Sequence, residues 1–332
     1  MRKYPRSALS LLLLFNLLFA DGVLAQGPAG EFPATDESAD GMLTIASEDD
    51  VARAVTIREV VYVTRQSGNL ELKLISPFTP GGSFGRPPAD APRRPLIVYV
   101  QGSAWFAQDN STTIPQMSDF VAMSGYVVAS VQYRPSTVAK APAQAQDVKS
   151  AIRFLRAGAA GFGIDPDRIA IWGDSSGGHM AALVGTSDGV ADFVTEDNAT
   201  VSSSVQAVVD FFGPIDFLQM ANFPSVLDHN AATSPESMVI GGAIQDPANL
   251  AKVQAYNPIT YIAADKDLPP FLIMHGDRDA LVPFNQSVLL YEALKATNQD
   301  VSFYKLTDAG HETRFWTPRV FAIVKAFLDA NL

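Results

Sequence analysis

An α/β fold, with one mostly parallel sheet of eight strands, helices on both faces and a small helical insertion, is what this 332-residue sequence predicts. Two observations carry the expectation. From Leu96 onward, short apolar runs alternate with longer helix-patterned stretches, the rhythm of βα units. The runs are continuously apolar instead of alternating with polar residues, as strands buried on both faces must be. Composition agrees, since 47% hydrophobic and 18% charged residues describe a chain with a large core and not a disordered polymer.

The elements follow in chain order. Residues 1–25 read as a secretory signal: Arg2, Lys3 and Arg6 precede an apolar run from Ala8 to Ala20, and Val23-Leu24-Ala25 offers small residues for cleavage before Gln26. That run is too short for a hydrocarbon core of roughly 30 Å. The expectation is a secreted protein, extracellular or periplasmic, with no stable membrane insertion once the signal is removed. Residues 26–50, rich in Gly, Pro, Ala and acids, form a flexible leader, and residues 51–332 a single domain. Val55 to Val63 and Leu70 to Ile75 predict two strands joined at Ser67-Gly68-Asn69, followed by an exposed loop from Pro77 to Pro95. Six further strands are expected at Leu96–Val100, Tyr126–Val131, Ile169–Trp172, Ala207–Val209, Phe271–Met274 and Val301–Leu306. Helices are expected at Pro142–Leu155, Gly178–Val184, Asn285–Leu294 and Pro318–Leu328. Residues 217–261 break the rhythm with no strand pattern. They predict a helical insertion over the carboxyl ends of the strands, where ligands of open α/β sheets sit.

Charge and residue usage narrow the chemistry. A formal net charge of -11, from 24 bases and 35 acids, disfavours a nucleic-acid partner. Without cysteine there is no thiol nucleophile, thiolate metal site or disulfide framework. No H-x-x-H or E-x-x-H spacing supports a metal and no G-x-G-x-x-G opens the first βα turn, so neither metal nor cofactor is expected.

The strongest motif is Gly173-Asp174-Ser175-Ser176-Gly177, directly after an apolar strand and before a helix-forming stretch. A serine at such a strand-to-helix turn needs nearly side-chain-free neighbours two positions either side. It then presents its hydroxyl at a helix N-terminus, where the Ser176 amide and the helix dipole stabilise an oxyanion. A serine hydroxyl also needs a base. Of the four histidines, His179 falls inside the following helix and reads as structural, His229 reads as a surface residue of the insertion, and His275 reads as turn support. His311, on the loop leaving the last strand, is the candidate base. Its orienting carboxylate comes from the loop after Phe271–Met274, where Asp279 is favoured over Asp277, which caps the turn or pairs with Arg278. The turn after Leu96–Val100 reads Gln101-Gly102-Ser103-Ala104-Trp105-Phe106, and the amides of Ser103 and Ala104 are candidates for the rest of the oxyanion hole. Trp105, Phe106, Phe217 and Trp316 are the candidate substrate-binding residues of an aromatic-lined pocket.

With Gly173-Asp-Ser-Ser-Gly-Gly-His-Met-Ala-Ala-Leu183, Asn257-Pro-Ile-Thr-Tyr261 and Pro269-Pro-Phe-Leu-Ile-Met-His-Gly276, the chain resembles the α/β-hydrolase superfamily from about Leu96 to its end. Within it, the likeness is to the esterase branch of hormone-sensitive lipase and the BD-FAE-type feruloyl and acetyl esterases. The resemblance implies an α/β-hydrolase fold and hydrolysis of short-chain or aromatic acyl esters, small or linked to plant polysaccharide. Two departures stand out: Gln101-Gly102-Ser103 replaces the family's His-Gly-Gly, and Glu312-Thr-Arg-Phe-Trp316 is bulkier than expected. Arg134 and Asp147 read as a structural ion pair. Two alternatives stay open, a prolyl-oligopeptidase-like exopeptidase and an inactive hydrolase-fold binding protein.

Overall fold

A computed structural model of the chain describes residues 42, 54–79, 88, 91–107 and 110–332. The expected signal (1–25) and, residue 42 apart, the leader (26–50) lie outside the described residues. The strands are β1 (Val55–Arg65), β2 (Gly68–Pro77), β3 (Arg94–Val100), β4 (Val127–Val131), β5 (Ile164–Asp174), β6 (Ala207–Phe211), β7 (Phe271–Gly276) and β8 (Val301–Leu306). They form one sheet in the order β1-β2-β4-β3-β5-β6-β7-β8. β1 and β2 pair antiparallel, β2 joins β4 antiparallel, and every other pairing is parallel. The hairpin turns one residue earlier than expected, on Gln66-Ser67, because Gly68, at φ 123°, already opens β2.

Helices α1 (Ile114–Ser124), α2 (Ala143–Ala157), α3 (Ala159–Phe162), α4 (Ser176–Thr186), α5 (Pro235–Ile240), α6 (Leu250–Ala255), α7 (Asn285–Ala296) and α8 (Pro318–Asn331) complete the molecule. β3 shows how the faces divide. Leu96, Val98 and Val100 join one core with Val148 and Ile152 of α2, Met180 of α4 and Leu290 of α7. Ile97 and Tyr99 join the other, with Met117 and Phe120 of α1 and Val324 and Leu328 of α8. α1 is not expected from the sequence because Pro115 interrupts its pattern, yet a proline in the first helical turn forfeits no hydrogen bond. Asp147, buried in α2, meets Arg134 at 2.6 Å and Arg65 at 3.0 Å, tying the hairpin to the helical layer.

Because β3 through β8 run the same way, the loops after β3, β5, β6, β7 and β8 leave at one edge. The segment following β6 is helical without a strand: 3-10 turns at Phe217–Asn222 and Pro258–Tyr261, with α5 and α6 between them.

Candidate active site

At that edge Ser175 turns the chain from β5 into α4 with φ 53° and ψ -125°. A left-handed serine is strained and persists only when its surroundings hold it. Its amide donates to the Phe211 carbonyl at 2.8 Å, and its carbonyl accepts from the His179 amide at 3.1 Å. The motif glycines are required by close approach. A Cβ on Gly173 would stand 2.1 Å from the Gly177 carbonyl oxygen, and one on Gly177 1.8 Å from that of Val100.

The loop after β8 brings His311 Nε2 to 3.0 Å from Ser175 Oγ, and His311 Nδ1 lies 2.8 Å from Asp279 Oδ2. The serine hydroxyl thus donates to the imidazole, and the imidazole N–H to the carboxylate. Phe212 sets its ring edge-on to His311 at 4.8 Å. Asp279 is itself fixed: Oδ1 accepts the amides of Leu281 and Val282, each at 2.9 Å, and Oδ2 lies 3.4 Å from His275 Nε2. Burial pushes the Asp279 carboxyl up, but hydrogen bonds from His275 and His311 and their charge outweigh it and hold the group well below the usual carboxylate range. His275 also bonds the Val282 carbonyl and Ser287 Oγ, at 3.0 and 2.8 Å. Asp277 neither caps its own turn nor pairs with Arg278. Its Oδ1 accepts the Asp308 amide at 2.8 Å, and Arg278 pairs with Asp308 at 2.6 Å, so both stitch the β7 loop to the β8 loop.

The three amides expected around an oxyanion are differently engaged. The Ser103 amide already donates to Ser176 Oγ at 2.9 Å. Among the described residues no acceptor takes the amides of Ala104 or Ser176. Ala104 and Trp105 follow one another at φ 51° and 58°. The loop is secured by a residue the sequence did not single out, Asp174, which accepts from the Gly102 amide at 3.1 Å and from the Tyr99 hydroxyl. Burial pushes its carboxyl up to about 7, against the pull of the Tyr99 hydrogen bond.

These groups open on a cleft of about 220 Å³, below the roughly 300–1,000 Å³ of pockets for drug-sized ligands. Trp105 lines it, with Leu227, Pro235, Leu281 and Val282. The other three aromatics expected there do not. Phe106 is exposed, Phe217 is buried behind Trp105 at 5.3 Å between ring centres, and Trp316 packs on Trp172 and Phe211 in the core. Their loops flank the cleft, but the backbone sends these side chains elsewhere. His229 is a further correction: it is buried and lines the cleft beside Glu236. His179 is buried too, its Nε2 2.8 Å from the Tyr256 carbonyl, and burial lowers its pKa to about 4. Among the described residues no group of three His, Asp or Glu side chains could hold a metal ion, and no helix is long and apolar enough to cross a membrane.

A serine at a strand-to-helix elbow, with histidine and aspartate delivered by the loops after the last two parallel strands, defines an α/β-hydrolase. The chain belongs to the BD-FAE family, whose model matches residues 85–294. It is 32% identical to the esterase LipQ of Mycobacterium tuberculosis over 71% of this chain and 56% of LipQ. The chain spans about half the length of the curated relatives it matches. Among solved structures, a truncated carbohydrate esterase from gut microbiota superposes with a TM-score of 0.71 and 30% identity, covering 86% of this chain and 98% of that one. Esterase 2 of Thermogutta terrifontis, with propionate bound, gives a TM-score of 0.65 at 25% identity over 82% and 94% of the two chains.

Proposed function

We propose that the protein is a serine carboxylesterase acting on short-chain or aromatic acyl esters through an acyl-enzyme. The observation that carries this is the unbroken hydrogen-bond chain Ser175–His311–Asp279 opening on a small cleft. His311 Nε2 takes the hydroxyl proton as Ser175 Oγ bonds to the ester carbonyl carbon, and the amides of Ala104 and Ser176 receive the developing oxyanion. His311 then protonates the leaving alcohol, the C–O bond breaks, and an acyl-serine remains. Water, deprotonated by the same imidazole, releases the acid and restores the serine. Asp279 holds the imidazole in the tautomer that leaves Nε2 free to accept, and stabilises the cation.

The cleft volume favours a short acyl group, and the propionate bound in the Thermogutta esterase supports it. The carbohydrate esterase neighbour supports a substrate linked to polysaccharide. The signal pattern at the start of the sequence supports secretion, which amino-terminal sequencing of the exported protein tests. The catalytic reading is tested by initial rates on p-nitrophenyl acetate, butyrate and octanoate beside methyl ferulate. Turnover of the short esters, reduced roughly 10³-fold or more in Ser175→Ala, is expected. Turnover that survives this substitution would refute the assignment. A folded protein inactive on all four esters would turn attention to the peptidase and inactive-hydrolase alternatives.

A further inference from the structure

The insertion brings two buried side chains to the cleft that this mechanism leaves unused. Glu236 sits in the first turn of α5, whose start is capped by Ser234 Oγ accepting the Ser237 amide at 3.1 Å. His229 lies in the preceding loop. Both line the cleft that holds Ser175 and His311, and neither is more than 2% exposed. His229 Nδ1 lies 3.0 Å from Glu236 Oε1, and its Nε2 lies 3.0 Å from Ser225 Oγ and 3.2 Å from the Leu281 carbonyl.

The protons of this group can be placed by its partners. Ser225 has one hydroxyl hydrogen, which the carbonyls of Ala280 and Leu281, at 3.2 and 3.0 Å, take up. Nε2 therefore faces only acceptors and carries a hydrogen. A second proton lies between Nδ1 and Oε1. Whether it sits on nitrogen or on oxygen, the pair is neutral as a unit, and Glu236 Oε2 offers only lone pairs. That oxygen is buried and has no hydrogen-bond partner among the described residues. Native structures rarely leave a buried carboxyl oxygen unpaired, because it has lost its water without compensation.

We propose that Glu236 is a specificity-determining residue: its free carboxyl oxygen accepts a hydrogen bond from a hydroxyl group carried by the ester substrate, with His229 fixing the carboxyl. A neutral pair has no charge to spare for an ammonium. The inference rests on the esterase reading. The hydroxyl belongs either to the alcohol half of the ester, as in a sugar or glycerol, or to the acyl half, as in a hydroxy acid.

Two size-matched pairs of esters distinguish the sources: glycerol monobutyrate against propyl butyrate, and p-nitrophenyl 3-hydroxybutyrate against p-nitrophenyl butyrate. The wild-type protein is expected to favour the hydroxylated member of one pair by roughly 10- to 100-fold in kcat/KM, the span of a hydrogen bond to an acidic group. Glu236→Leu abolishes that preference, bringing the ratio of kcat/KM within the pair to about one. Glu236→Gln, which keeps one oxygen, falls between. Absence of any preference in the wild-type protein overturns the proposal without recourse to a variant. So does a preference that persists in Glu236→Leu, or an equal fall on both members of a pair. Failure of the wild-type protein on all four esters is a different result, since it removes the esterase reading itself.

Discussion

Asp279 accepts three hydrogen bonds with its two oxygens, two from amides of its own loop and one from His311, and His275 Nε2 stands 3.4 Å away. Replacing it by Asn keeps the size but offers His311 an NH2 or a weaker acceptor, so the wrong tautomer is stabilised. We expect Asp279→Asn to lower kcat roughly 10³- to 10⁴-fold on p-nitrophenyl butyrate. His275 supports the carboxylate from behind without facing the cleft. His275→Leu should therefore cost about tenfold in kcat with little change in KM, a split that steady-state kinetics reads directly. At this scale the sequence was legible where a residue's position follows from its loop after a parallel strand, as for Ser175, Asp279 and His311, which the structure brings together. It was illegible where the role depends on which way a side chain turns. Trp105 faces the cleft while Phe106, its neighbour, is exposed. His229, between Asp228 and Asn230, reads as solvent-facing, yet it is bonded to Glu236 seven residues on.

Among elements, the strand–elbow–helix unit tolerates least. The added Cβ of Gly177→Ala would meet the backbone of β3, where no flexible side chain can yield. The predicted outcome is a destabilisation of several kcal/mol, seen as a lowered unfolding midpoint or loss of soluble protein. The ion pairs around Asp147 of α2, with Arg65 of β1 and with Arg134 after β4, make a second test. Arg134→Met leaves Asp147 buried with Arg65 as its remaining cation, and the expected loss is about 2–3 kcal/mol in denaturant titrations, less than for a buried charge left wholly alone. The central strands β3 to β7 were readable because their apolar runs are almost unbroken, and the expected helices because longer stretches of helical pattern lie between the strands. α1 hid behind Pro115, and α5 and α6, at six residues each, are too short to show a period.

For the molecule as a whole, two buried carboxyls make stability depend on pH. Burial raises Asp174 and Asp210 to about 7, each opposed by a hydrogen bond, from Tyr99 and from the Gly213 amide respectively. In the unfolded chain both titrate near 4. Between about pH 4 and 7 the folded state therefore holds protons that the unfolded state releases. Their contribution is complete below pH 4 and is lost as pH rises through 7. Asp279, held low, works in the opposite sense: its contribution is present above pH 4 and disappears in stronger acid. Asp210→Asn keeps an acceptor for Gly213 and removes the ionisation. Its Tm should come closest to that of the wild type below pH 4 and exceed it by several degrees at pH 8, and a gap that does not widen between the two would contradict the assignment. The proposed reaction, however, passes through a covalent bond to Ser175. Incubation with paraoxon, which phosphorylates the Thermogutta esterase, followed by peptide mass mapping, tests it most directly. One diethylphosphoryl group per chain is expected, on Ser175, and none in Ser175→Ala. Ester turnover that persists without any adduct on Ser175 would contradict it.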